Sequence, residues 1–357
     1  MRSWEQTDLS EVSEVRLGRL LRFTALAGLV VAVLSLAVPA TGGPVFTPRR
    51  PIEWTIPAGT GGGADQQARF MAPLIEKYKL SPQPVIPVNR PAGAGAQAFL
   101  WMVDKAGDPH TLLITLDNLF ATPIAQTIRN RDGSRFSWRA LTPIARLLLD
   151  NFVLTVHNDS PWKTVAEFQA AAKAAPRGSI KMAGTGSKQE DEIIMVLLEQ
   201  AWGVDFTYVP FAGGGAVAAA LVGKQVDFTV NNPLEMVGHW EGGRVRPLAV
   251  FAAERVPFSK PVTGNTAWKD IPTMKELGFP IEYQMLRGIF GPSEMPPEAV
   301  AFYQDVFSKL MDTPEMVDFI ERGAFTKAFL TGPAFVRWLE QKDRSVRELM
   351  VKGGLAE

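Results

Sequence analysis

The sequence predicts an α/β protein of two domains, with mainly parallel sheets, two strands crossing between the domains and a helical C-terminal stretch. Three observations carry this. A chain of 357 residues favours two domains over one. Short apolar β-like runs alternate with helical patterns through most of the chain, which argues for parallel sheets covered by helices on both faces. Two glycine-rich turns, Gly59-Thr60-Gly61-Gly62-Gly63 and Gly184-Thr185-Gly186-Ser187, each join an apolar strand to a helix.

In chain order, a strand over 52–56 precedes the first glycine turn. The helix over 66–78 follows, because Phe70, Leu74, Ile75 and Tyr78 recur on one face. Strands over 84–88 and 111–116 alternate with helices over 96–103 and 119–128, and 145–156 reads as a longer extended run. Pro161 announces a helix over 163–174. Strands over 180–182, 206–209, 226–230 and 246–251 then alternate with helices over 190–202 and 216–222. From Pro296 onward the pattern is helical with no strand: 298–311, 315–322 and 333–350. Such a tail must pack on a domain already built, so the chain is expected to cross between domains twice, near 145–156 and near 281–290. Two crossings make a hinge, and a hinge serves closure on a ligand. The expected domains are 41–144 with 290–357, and 145–289 including the crossing strands.

Residues 1–40 read as a secretory signal peptide. Arg16, Arg19 and Arg22 precede an uncharged apolar run over 23–38, and Val38-Pro39-Ala40 offers a small-residue cleavage site. The run is short for a membrane span, although an uncleaved anchor is the alternative. The expected location is therefore periplasmic.

Composition removes several function classes. Lys plus Arg and Asp plus Glu both count 37, so no basic surplus points to nucleic acid. There is no cysteine, hence no disulfide, thiolate zinc site or thiol nucleophile. His110, His157 and His239 share no metal-ligand spacing. No metal or cofactor is expected.

What remains are the turns. A glycine turn at a helix N-terminus presents free N–H groups at the positive end of the helix dipole, which suits an anion. In the first turn the candidate ligand-binding residues are Ala58, Gly59, Thr60, Gly61, Gly62 and Asp65, with Asp65 also able to cap the helix. No Gly-Lys-Ser/Thr follows, so this is not a nucleotide P-loop. Nor does the strand after it end in the acid that a dinucleotide fold requires. In the second turn the candidates are Gly184, Thr185, Gly186, Ser187, Lys188 and Gln189, where hydroxyls and a lysine reinforce the N–H groups. Asn118, Phe211, Gly213, Asn231 and Asn232 follow strands and could line the same cleft. Arg287, in the second crossing, could pair with a carboxylate.

At these residues the chain resembles the periplasmic receptors of tripartite tricarboxylate transporters, the Bug receptors, from about Arg50 to the C-terminus. The likeness rests on the glycine loop at 57–65 and on Val88-Asn89-Arg90-Pro91 with Gly93 and Gly95. It continues through Asp108-Pro109-His110-Thr111-Leu112, Gly184-Thr185-Gly186-Ser187 and Val209-Pro210-Phe211-Ala212-Gly213-Gly214. The strand at 243–250, the element Pro272-Thr273 with Glu276 and Gly278, and Gly288 with Pro292 complete it. The chain departs at Phe211, where the family has Tyr, and at Ala92. The resemblance implies a two-lobed periplasmic-binding-protein fold of the type II-like kind that closes on a small organic carboxylate, held by the loops at 58–63 and 184–189. It also implies delivery to the transporter's membrane subunits. A monomer is the expected state.

Two other functions fit the residues. One is an exported enzyme acting on a small carboxylate, for which Asp65, Glu190, Asp191 and Glu192 would be the acid/base groups. However, no nucleophile, base and orienting residue stand together in the sequence, so the expectation is that the protein is not an enzyme. The other is a receptor of an ABC-type importer.

Overall fold

The structure, a computed structural model, describes residues 46–356; the signal-peptide assignment lies outside them. The chain begins β1 (Ile52–Ile56), α1 (Gly63–Lys77), β2 (Val85–Asn89), α2 (Ala96–Val103), β3 (Thr111–Thr115), α3 (Asn118–Ala125) and β4 (Leu141–Asn151). It continues β5 (Val153–His157), α4 (Val165–Ala174), β6 (Lys181–Thr185), α5 (Glu190–Trp202), β7 (Thr207–Phe211) and α6 (Gly214–Val222). Next come β8 (Phe228–Thr229), α7 (Pro233–Glu241), β9 (Val245–Val250), and a small hairpin of β10 (Pro261–Thr263) and β11 (Thr266–Ala267). The last elements are β12 (Gln284–Pro292), α8 (Pro297–Leu310), α9 (Pro314–Arg322), β13 (Thr326–Thr331) and α10 (Gly332–Lys352).

Two main sheets result. The first has the order β13-β4-β12-β3-β1-β2, and the second β7-β6-β8-β5-β9. Each is mixed, which corrects the expectation of parallel sheets. Strand β1 is parallel to β2 and β3, but β12 is antiparallel to β3 and β4. Likewise β6 is parallel to β7 and β8, while β5 is antiparallel to β8 and β9. The cause is the crossing itself. A strand that leaves the first sheet at Asn151 and another that returns at Gln284 meet side by side, so they must run in opposite senses.

The C-terminal stretch also differs from expectation. Residues 326–331 form β13 on the edge of the first sheet, antiparallel to β4. Its six residues sit between two helices and hold only the three-residue apolar run Ala328-Phe329-Leu330, too short to mark a strand by itself. Helix α7 likewise lies where the sequence reading places no element. Its signal is Pro233 at the first helical position.

Apolar side chains fill each lobe. In the first, Trp54 packs on Phe307 at 5.5 Å between centroids, which joins β1 to α8. In the second, Phe168, Phe206 and Phe228 pack within 4.8 to 6.1 Å of one another. Thr164 starts α4 with a capping box, accepting from Glu167 N while the Glu167 carboxylate accepts from Thr164 N. Thr164→Ala is expected to cost about 1 kcal/mol. Urea midpoints of the two proteins would measure it, and an unchanged midpoint would mean the box contributes nothing.

Candidate functional site

A cavity of about 720 Å³ opens between the two lobes. Its walls are the ends of strands and the starts of helices from both sheets. The turns after β1, β2 and β3 face those after β6, β7 and β8. The lobes are closed. Gly59 packs so near Ala212 that a Cβ there would lie 2.8 Å from its carbonyl oxygen, and Gly61 lies against Gly215.

The expected residues divide into those that line the cavity and those that do not. Ala58, Gly62, Asn118, Thr185, Gly186, Ser187, Lys188, Gln189, Phe211, Gly213, Asn232 and Arg287 line it. Gly59, Thr60 and Gly61 do not: the first and last face 212–215, and Thr60 is exposed. Asp65 is buried below the loop, accepting from Gly61 N at 2.9 Å and pairing with Arg69 at 2.8 Å, so it braces the turn. Gly184 is hemmed in by Tyr208 and Asp191. Asn231 points away and donates to Gly214 O at 2.9 Å. Asn232 donates to Asn151 O, also at 2.9 Å, tying α7 to the end of β4.

The two glycine turns differ in what they leave free. In the first, the chain's own groups use three of the N–H donors: Gly61 donates to Asp65, Gly62 to Gly59 O, and Gly63 to Glu235 Oε1 at 2.6 Å. In the second, Thr185 N donates to Asp191 Oδ2 at 2.5 Å and Lys188 N to Glu192. The N–H groups of Ser187 and Gln189 have no partner among the described residues. Gln189 reaches across the cleft and donates to Ala94 O at 3.0 Å.

Arg287 is 1% exposed and sits on β12 at the cavity wall. Its Nε donates to Asp150 Oδ2 at 2.9 Å, and its Nη2 makes an ion pair with the same oxygen. Its Nη1 is buried without a partner, as is Asp150 Oδ1. Glycine at 63 leaves room for the Arg287 guanidinium, which a Cβ there would push aside; Gly214 makes the same allowance for the Glu235 carboxylate.

Sequence reasoning missed Glu235 and Asp150 and gave Glu190 and Asp191 no binding role. Glu235 belongs to the first turn of α7, so recognising that helix from Pro233 would have placed an acid beside Asn232 at the cleft. Burial pushes the Glu190 carboxyl up to about 8, with the nearby Asp117 charge adding to the push. Burial also carries Asp191 up to about 6, and Asp150 to about 6 against the pull of Arg287. Glu235 is partly buried, and desolvation raises it to about 8, opposed by Arg287.

A cavity held between two α/β lobes and lined by strand-to-helix turns from each defines a solute-binding protein of the cleft-closing kind. The chain belongs to the tripartite tricarboxylate transporter receptor family, whose model matches residues 69–349. Among curated relatives, the "UPF0065 protein in gbd 5′ region" of Cupriavidus necator is 27% identical over 341 residues, covering 94% of this chain and 98% of the relative. A solved TctC solute-binding protein from Polaromonas is 27% identical with a TM-score of 0.60, covering 85% of this chain and 99% of that one. The solved MatC of Rhodopseudomonas palustris, with bound malate, is 24% identical with a TM-score of 0.67, covering 87% and 100%.

Proposed function

We propose that the protein is a periplasmic solute-binding receptor that captures a small organic carboxylate in the cavity between its lobes and delivers it to the membrane subunits of a tripartite tricarboxylate transporter. One observation carries the reading. Donors without partners line the cavity, namely Arg287 Nη1 and the N–H groups of Ser187 and Gln189, with Lys188 beside them. Arg287 Nη1 is buried, where an unpaired donor is costly, Ser187 lies at the open side, and a carboxylate accepts several such bonds at once. Each charge-assisted bond contributes about 1.5–3 kcal/mol, and a micromolar receptor requires only about 8 kcal/mol net. The malate held by the relative MatC agrees with this chemistry.

The lobe division proposed for the working protein is the one drawn from the sequence, with residues 41–144 and 290–357 moving against 145–289. The pivot is where β4 runs into β5 through Phe152 and where Tyr283 leads into β12. Phe251 N donates to Phe152 O and Tyr283 N to Phe251 O at 2.9 and 2.8 Å, so the crossings are bonded to one another. The ligand bridges both lobes and thereby favours the closed form. Residues 1–40 direct export and are removed, and the receptor acts as a monomer without catalysis.

The test is calorimetric titration of the purified protein with aliphatic and aromatic carboxylates, with sugars and inorganic phosphate as controls. Saturable binding of a carboxylate class and none of the controls is expected. In Ser187→Asp the new negative charge beside the free N–H groups should weaken that binding by at least about a hundredfold, or about 2.7 kcal/mol, at unchanged melting temperature. Undiminished affinity in the variant would remove the second loop from the site.

A further inference from the structure

Two helices of the first lobe begin without a cap of their own. The N-cap of α1 is Gly62, which has no side chain to offer, and that of α3 is Asp117, whose side chain makes no cap bond. The Asp117 carboxyl is turned aside instead, accepting from Leu286 N at 3.0 Å and pairing with Lys342 at 2.6 Å. In each case an acid of the second lobe stands at the helix end. Glu235, in the first turn of α7, accepts from Gly63 N, the first N–H of α1, at 2.6 Å. Glu190, at the start of α5, lies against Asn118 N, the first N–H of α3, as its acceptor.

We infer that Glu235 and Glu190 hold the lobes shut by capping, from across the cleft, two helices that lack caps of their own, so that the receptor closes even without a ligand. This rests on the lobe division proposed above and is independent of what the ligand is. The first N–H groups of a helix have no partner within it, and an acceptor oxygen placed there satisfies one of them. Glycines allow the approach. Gly59 meets Ala212 and Gly61 meets Gly215, while Gly214 carries no Cβ to keep the Glu235 carboxyl from its seat. Both carboxyls keep their protons at neutral pH. A neutral carboxyl is buried at less cost than a carboxylate, and its carbonyl oxygen still accepts. When the lobes part, water replaces each bond, so each contributes modestly. Two such bonds together favour the closed form by about tenfold to a hundredfold.

The experiment is small-angle X-ray scattering of the purified protein, unfolded and refolded to remove any bound solute. The wild type should fit the closed lobes. Glu190→Ala with Glu235→Ala should raise the ratio of open to closed molecules about tenfold or more, seen as a larger radius of gyration. Glu190→Gln with Glu235→Gln keeps an acceptor oxygen at each helix end and should stay closed. Gln189→Ala removes a bond across the cleft that caps no helix, and it leaves Ala94 O with Thr122 Oγ1 at 2.9 Å, so this variant should also stay closed. A cooperative melting transition checks that each protein is folded. A wild type that is open when empty, or an alanine variant that stays closed, would overturn the inference. So would a glutamine variant, or Gln189→Ala, that opens as far as the double alanine variant. The carboxylate reading stands or falls separately, by the titration above.

Discussion

Arg287→Met is expected to destabilise the protein by about 3–5 kcal/mol, the largest loss of any single cavity substitution. The guanidinium and Asp150 form an ion pair at 1% and 0% exposure, so removing one partner leaves a charge with neither water nor a counterion. The pair itself is a different matter. Taking both charges out of water costs nearly as much as their attraction returns, and so the double variant Arg287→Met with Asp150→Asn should recover a large part of the loss. Urea unfolding of the wild type, both single variants and the double variant forms the cycle. If the double variant is as unstable as the sum of the singles, the two groups do not act as a pair and the account of the cavity wall fails. Ligand affinity should not recover with stability, because Arg287 Nη1 is also lost.

The second large effect is on pH. Glu190 is 6% exposed and holds its proton up to about pH 8, against an ordinary value of 4.5. The folded protein therefore binds that proton more tightly than the unfolded chain does. The stability this brings is fully present below about pH 4.5 and is lost as pH rises toward 8. One such group gives a slope of at most about 1.4 kcal/mol per pH unit in that window. Glu235 is raised in the same direction and adds to it. The ligand-free protein should thus melt at a lower temperature at pH 8.0 than at pH 5.5. Glu190→Gln, which cannot titrate, should flatten that trend measurably. A wild type whose melting temperature rises over the window, or a variant with the same slope, would show that burial does not hold the proton on Glu190.

Much of the fold was legible because the sequence repeats one local unit. The run from Ile52 to Ile56, the glycine turn and the amphipathic face of α1 are all local signals, and the same grammar recurs at β6 and α5. What could not be read was set by neighbours distant in sequence. Strand β13 forms against the edge that β4 offers it, and its own apolar run, Ala328-Phe329-Leu330, is too short to mark a strand. The antiparallel sense of β12 follows from where the chain re-enters, which no window of sequence contains. The site divides along the same line. Gly186 to Gln189 announce themselves as a turn at a helix start. Glu235 and Asp150 acquire their roles only when α7 and β4 are brought to one wall, and the N–H of Gly63 in the first turn is used by a carboxyl 172 residues away. Resemblance to a family compensates for part of this, since it transfers the architecture, but it says nothing about residues in which this chain has its own charges.

The paired crossings also impose an order of assembly. Every strand of the second sheet lies within residues 153–250, a continuous stretch that holds all its own pairing partners. The first sheet is different. Strand β4 sits between β12 and β13, and its end at Asn151 waits for Gln284, 133 residues further along. As the chain is synthesised, β1 to β4 are made first yet must remain an open, half-built sheet until the last strands arrive. The later-synthesised lobe is then the first to be complete. Long-range pairing of this kind is slow and leaves strand edges bare meanwhile. Until synthesis ends it is the N-terminal half, lacking nothing but partners not yet made, that most needs a chaperone's shelter.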